Sequence, residues 1–138
     1  MKNRLLTTVL ATVLALCAWA AGNVNWTGNV AAWTQGSGTL ADPYLIENGE
    51  HLAYLAEQVN GGNDYSGVYF KLANNIDLLH KPWIAIGDKM DNPFKGHFDG
   101  AEYSVFNVKP TTSSYIGLFG VLDGAEITNL YINSDIKL

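Results

Sequence analysis

The 138-residue chain has one cysteine, Cys17, and one arginine, Arg4, and both fall within its first twenty residues. Beyond residue 20 there is therefore no disulfide framework, no thiolate nucleophile and no cysteine metal site. The shortage of arginine removes the planar fork that clamps phosphate or carboxylate with two hydrogen bonds. Positive charge is scarce altogether: beyond residue 20, six lysines stand against thirteen acids, a formal charge of −7. That balance excludes nucleic acid as a partner, because phosphates call for clustered Lys and Arg. The three histidines, His51, His80 and His97, share no metal-ligand spacing and are expected at solvated or edge positions.

Long apolar runs are scarce too. The run Leu5–Ala15 follows Lys2 and Arg4 and precedes Ala18-Trp19-Ala20, which puts small residues where a signal peptidase reads. The pattern predicts a secretory signal over residues 1–20. Thr7, Thr8 and Thr12 interrupt the run, which barely reaches the roughly 20 apolar residues a membrane span needs. No membrane span is expected after cleavage, and the remaining chain is expected to be secreted or displayed at the cell surface. Leu14-Ala15-Leu16-Cys17 has the outline of a bacterial lipobox, with Leu16 where a small residue belongs. Residues 21–138 suffice for a single domain.

What is present is a repeat. Asp-Gly-Ala-Glu occurs at Asp99–Glu102 and again at Asp123–Glu126, 24 positions on. The same shift sets Phe94 on Leu118, Gly96 on Gly120, Phe98 on Leu122 and Phe106 on Leu130. Glycine falls on glycine and apolar on apolar, which predicts a solenoid whose turns bury their apolar faces by stacking. Ahead of it, Leu52, Leu55, Ala56 and Val59 recur at helical spacing between Asn48, a capping residue, and the stop Asn60-Gly61-Gly62. A lone amphipathic helix over residues 48–60 is suited to covering one end of such a stack. Val68, Phe70 and Leu72 alternate with Tyr69 and Lys71, predicting a half-buried strand with the first set inward. Gly36–Ala41 matches a dinucleotide-binding fingerprint by letter only, because no apolar strand precedes it and Asp42-Pro43 forbids a helix after it.

Two strings carry a family resemblance: Phe94-Lys-Gly-His-Phe-Asp-Gly-Ala-Glu-Tyr-Ser-Val-Phe-Asn-Val108, and Tyr115-Ile-Gly-Leu-Phe-Gly-Val-Leu-Asp-Gly-Ala-Glu-Ile-Thr-Asn-Leu-Tyr-Ile132. They resemble the GLUG-motif proteins. Gly36–Thr39, Asp42–Ile46, His51–Ala56 and Tyr65–Leu72 are similar to the segment that commonly precedes those repeats in secreted bacterial proteins. The resemblance implies a mostly β chain: a right-handed parallel β-helix of the pectin-lyase-like type, with one N-terminal capping helix. Residues 21–62 would form the N-terminal lead-in and capping helix, and residues 63–138 the coils. It implies an adhesin-like chain of the bacterial surface and carries over no catalytic motif. An open C-terminal end would receive further coils or a second copy.

Candidate sites are modest. If the two tetrapeptides stack, Asp99 and Asp123 lie about 4.8 Å apart, as do Glu102 and Glu126, the spacing of neighbouring strands. Four stacked carboxylates form a possible calcium ladder, since that ion takes hard oxygen ligands. Against it stands the ordinary role of a turn Asp, which bonds its own loop while the Glu side chains are solvated. Among the aromatics Tyr69, Trp83, Tyr103, Tyr115 and Tyr131, the candidates to stack on a sugar are Tyr131 and Tyr103, while Trp83 beside Ile84 and Ile86 is expected inside. The expected function is a non-enzymatic scaffold or adhesion module whose partner is an extracellular glycan or a surface protein. The competing class is a carbohydrate lyase or hydrolase, which needs positioned acid and base groups on one face.

Overall fold

The computed structural model describes residues 22–111 and 114–134. The predicted signal at 1–20, with Cys17, lies outside the described residues. Strands β1 (Val24–Asn25) and β2 (Tyr44–Ile46) precede helix α1 (Gly49–Asn60). Then come β3 (Tyr69–Leu72), β4 (Ile76–Asp77), β5 (Pro82–Trp83), β6 (His97–Asp99), β7 (Ser104–Pro110), β8 (Glu126–Thr128) and β9 (Tyr131–Ser134). All strand pairs are parallel. One sheet runs β2-β3-β6-β8; the other runs β1-β4-β7-β5, with β9 also pairing β7.

Helix α1 forms as its sequence predicts. Asn48 is extended, and its side chain accepts the His51 N–H at 2.9 Å, taking up one of the free amides of the first turn. Leu52, Leu55, Ala56 and Val59 are buried, and the helix packs against β2. His51 departs from its expected solvated position. It is buried, and Nδ1 accepts the Glu47 N–H at 3.1 Å, so the ring fastens the approach to the helix. At the other end, Asn60 Oδ1 accepts the N–H groups of Gly87 (2.9 Å) and Asp88 (3.0 Å) while its Nδ2 donates to Ala85 O at 3.0 Å.

The core lies between the sheets and under α1. In β3, Phe70 and Leu72 are buried while Lys71 is exposed, the predicted alternation. Phe98, Ile76, Val105 and Val108 join them from the neighbouring strands. Trp83 is inside, as expected, edge-on to Trp26 at 5.6 Å, and its Nε1 donates to Leu118 O at 3.2 Å.

The expectation of a right-handed parallel β-helix on a 24-residue turn is overturned. Among the described residues two small parallel sheets and one helix stand in its place, and every strand but β7 is two to four residues long. The physical reason is register. His97 pairs with Glu126, 29 positions on, and Asp99 pairs with Thr128 rather than with Asp123. The first Asp-Gly-Ala-Glu closes β6 and turns through Ala101 and Glu102, both left-handed at φ 50 and 67. The second turns through Gly124 (φ 65), and its Glu126 opens β8. The repeated letters therefore lie on opposite sides of a strand. Among the described residues β8 and β9 pair on one side only, and Leu122 (44 %) and Ile132 (47 %) are exposed beside them.

Candidate functional site

Strand alternation places two rows of side chains on the outer face of the four-stranded sheet. Tyr69, His97 and Glu126 are direct cross-strand neighbours in one row, and Lys71, Asp99 and Thr128 in the other. Between the rows lies a cavity of about 340 Å³ with Phe70 and Phe98 beneath it. The size falls in the range of small-ligand sites. Leu40, Ala41 and Pro43 line it as well. Their loop is held by Asp42 O, which accepts the N–H groups of Ser37, Gly38 and Thr39 at 3.0, 3.0 and 3.2 Å. Gly38 O in turn accepts the Tyr69 N–H at 2.9 Å, fixing the loop to β3. A side chain at Gly36 would run into Pro43 O at 2.0 Å, so the glycines that mimic a nucleotide fingerprint serve a tight turn beside the groove.

Within the first row the Tyr69 and His97 rings stack in parallel, centroids 4.2 Å apart, and His97 Nδ1 lies 3.0 Å from Glu126 Oε2. In the second row Asp99 Oδ1 accepts the Ala101 N–H at 2.8 Å and Asn129 Nδ2 at 3.3 Å. Among the described residues Lys71 closes no ion pair, although Asp99 is its neighbour across the strands, and the hydroxyls of Tyr69 and Thr128 make no hydrogen bond within the chain. The groove thus presents donors and acceptors that the fold leaves unspent. A second cavity, about 510 Å³, lies between α1 and β5 against Trp26, Ala56 and Ile84. Among its lining residues the Asn60 side chain is taken up by the contacts to residues 85–88.

The residues singled out from the sequence do not assemble as expected. The calcium ladder does not form: Asp99 faces the groove, Asp123 pairs with Lys95 at 3.1 Å, Glu102 accepts the Tyr131 hydroxyl at 3.0 Å, and Glu126 is on His97. No group of three or more His, Cys, Asp or Glu among the described residues is disposed to hold a metal. Tyr103 and Tyr131 are exposed, at 37 % and 58 %, but neither lines the groove. The Tyr131 phenol is held above its ordinary range, first by the hydrogen bond to Glu102 and then by that carboxylate's charge. Lys71, His97 and Thr128 were not singled out as ligands. The outward phase of Lys71 was readable from alternation, but its convergence with His97 and Thr128 was not.

No family model matches the chain. No solved structure matches it either. The chain is 35 % identical over 109 residues to a protein of Evansella cellulosilytica named "Putative Gly-rich membrane protein". The match takes in 72 % of this chain and 12 % of that protein, so the chain spans about an eighth of the relative's length. The relative's name places it at a membrane and states no reaction. No helix among the described residues of this chain is long and apolar enough to cross a membrane.

Proposed function

We propose that this chain is a secreted or cell-surface, non-enzymatic scaffold and adhesion module that binds an extracellular glycan in the groove across β3, β6 and β8. The observation that carries the reading is the groove's unspent polar set, fixed on short strands over a packed core. Sugars present many hydroxyls, each donor and acceptor at once, and they suit a wall of mixed donors and acceptors. The signal-like residues 1–20 and the resemblance of residues 36–132 to GLUG-motif proteins support a location outside the cell, and a relative named for a membrane supports association with a membrane or the cell surface.

A glycan array probed with purified residues 21–138, run beside a polysaccharide depolymerisation screen, tests the reading. Binding to a subset of glycans without products is expected, and Tyr69→Ala with His97→Ala should weaken it by about tenfold or more, the loss of a stacked ring and a hydrogen bond. Turnover that vanishes with Asp99→Asn or Glu126→Gln would establish a lyase or hydrolase instead. A blank array would sink the glycan assignment.

A further inference from the structure

We infer that the groove selects uncharged sugars over acidic ones and reads a pair of adjacent hydroxyls between Lys71 and Asp99. The inference rests on the glycan reading above and narrows it to a ligand class. Lys71, Asp99 and Thr128 are successive cross-strand neighbours, so their Cα atoms step by about 4.8 Å across the sheet. An ammonium only donates and a carboxylate only accepts, whereas a hydroxyl does both. Of two hydroxyls on neighbouring ring carbons, one can therefore accept a hydrogen bond from the Lys71 ammonium while the other donates one to the Asp99 carboxylate. Asp99 is suited to this, because its hydrogen bonds to Ala101 and Asn129 both fall on Oδ1, which leaves Oδ2 unassigned. Lys71 is equally available, since it closes no ion pair among the described residues.

Charge decides against acidic sugars. The groove holds two carboxylates, Asp99 and Glu126, against one lysine and an imidazole already engaged by Glu126. A uronate would meet like charge from Asp99 and Glu126 at close range. The usual remedy, an arginine fork, is missing, because the chain's one arginine is Arg4, and the described carboxylates form no metal cluster that could bridge a uronate. The other row offers a ring edge and a phenol hydroxyl, both compatible with a neutral pyranose.

Isothermal titration of residues 21–138 against three matched oligosaccharides tests this: a neutral one that binds on the array, its C6-oxidised uronate counterpart, and a deoxy analogue lacking one of two adjacent hydroxyls. The neutral sugar should bind at least about tenfold more tightly than either, the scale of one hydrogen bond to a charged group. Lys71→Met should cost about tenfold in affinity for the neutral sugar on the same scale. Asp99→Asn keeps the Oδ1 acceptor for Ala101 and should narrow the gap between neutral and uronate ligands. Melting curves of both variants, expected to overlay the parent, tie these losses to the site. Uronate binding as tight as neutral binding, or a gap that Asp99→Asn leaves unchanged, overturns the selectivity while the glycan reading stands. Failure of every glycan to bind removes both.

Discussion

Two copies of one tetrapeptide do different work in this chain. Asp99–Glu102 ends a strand and starts a turn, while Asp123–Glu126 ends a turn and starts a strand. Each glycine has its own reason to be there. Gly100 is closely packed: a Cβ on it would meet Asn129 O at 2.4 Å and Leu130 Cα at 2.5 Å. Gly124 has nothing within 4 Å and is needed for its left-handed φ of 65. Their acids diverge as well, Asp99 tying down the turn and Asp123 forming an exposed ion pair. Identical letters thus report only local chemistry. The partner strand decides what the letters are for.

Substitution at the two glycines should separate the copies most widely. Gly100→Ala forces backbone apart between β6 and the residues leading to β9 and should cost about 3 kcal/mol, the upper range for overpacking. Gly124→Ala asks only for a left-handed alanine in open space, about 1 kcal/mol. Chemical denaturation of both variants checks the order, and equal losses would mean the copies are equivalent after all.

The two aspartates should differ less. Asp99→Ala removes the acceptor of two hydrogen bonds and should cost about 1–2 kcal/mol. Asp123→Ala breaks an exposed pair with Lys95 and should cost about 0.5 kcal/mol or less. Thermal melts at matched ionic strength test the difference, and raising the salt should shrink only the Asp123 effect.

The smallest expected effect lies in the glutamates. Glu102 raises the Tyr131 phenol above its ordinary range. A phenol raised in the folded state contributes stability that is full below its ordinary range and is lost as pH rises through the raised value. Spectrophotometric titration of Glu102→Gln should therefore return Tyr131 toward its ordinary value. Glu126→Gln, whose carboxylate sits on His97, should leave the Tyr131 transition in place.

The same contrast explains what the sequence could disclose. Helix α1 was legible because its cap, stripe and stop are all local: Asn48, the buried Leu52 to Val59, and Gly61. The outward phase of Tyr69 and Lys71 was legible for the same reason, since alternation needs only one strand. The groove was not legible, because it depends on His97 facing Tyr69 and Glu126 facing His97, pairings between strands far apart in the chain. The 24-residue repeat pointed to another register, and with it to a carboxylate ladder that the strands do not build. His51 was misplaced because its partner is a backbone amide, Glu47 N–H, which leaves no trace in residue type. Gly36 and Gly38 showed a turn, but not that the turn would be pinned to β3 through Gly38 O.

Asn60 also has a kinetic meaning. Its side chain and its carbonyl together hold Ala85, Gly87, Asp88 and Asn92, the last by Nδ2 at 2.8 Å. Fraying the last turn of α1 therefore releases four contacts at once on a segment some 25 residues downstream. The Gly87 and Asp88 amides, which both donate to Asn60 Oδ1, are therefore expected to lose protection when the helix end opens, whereas Ile86, whose N–H is held by Leu118 O, is not; hydrogen exchange distinguishes the two.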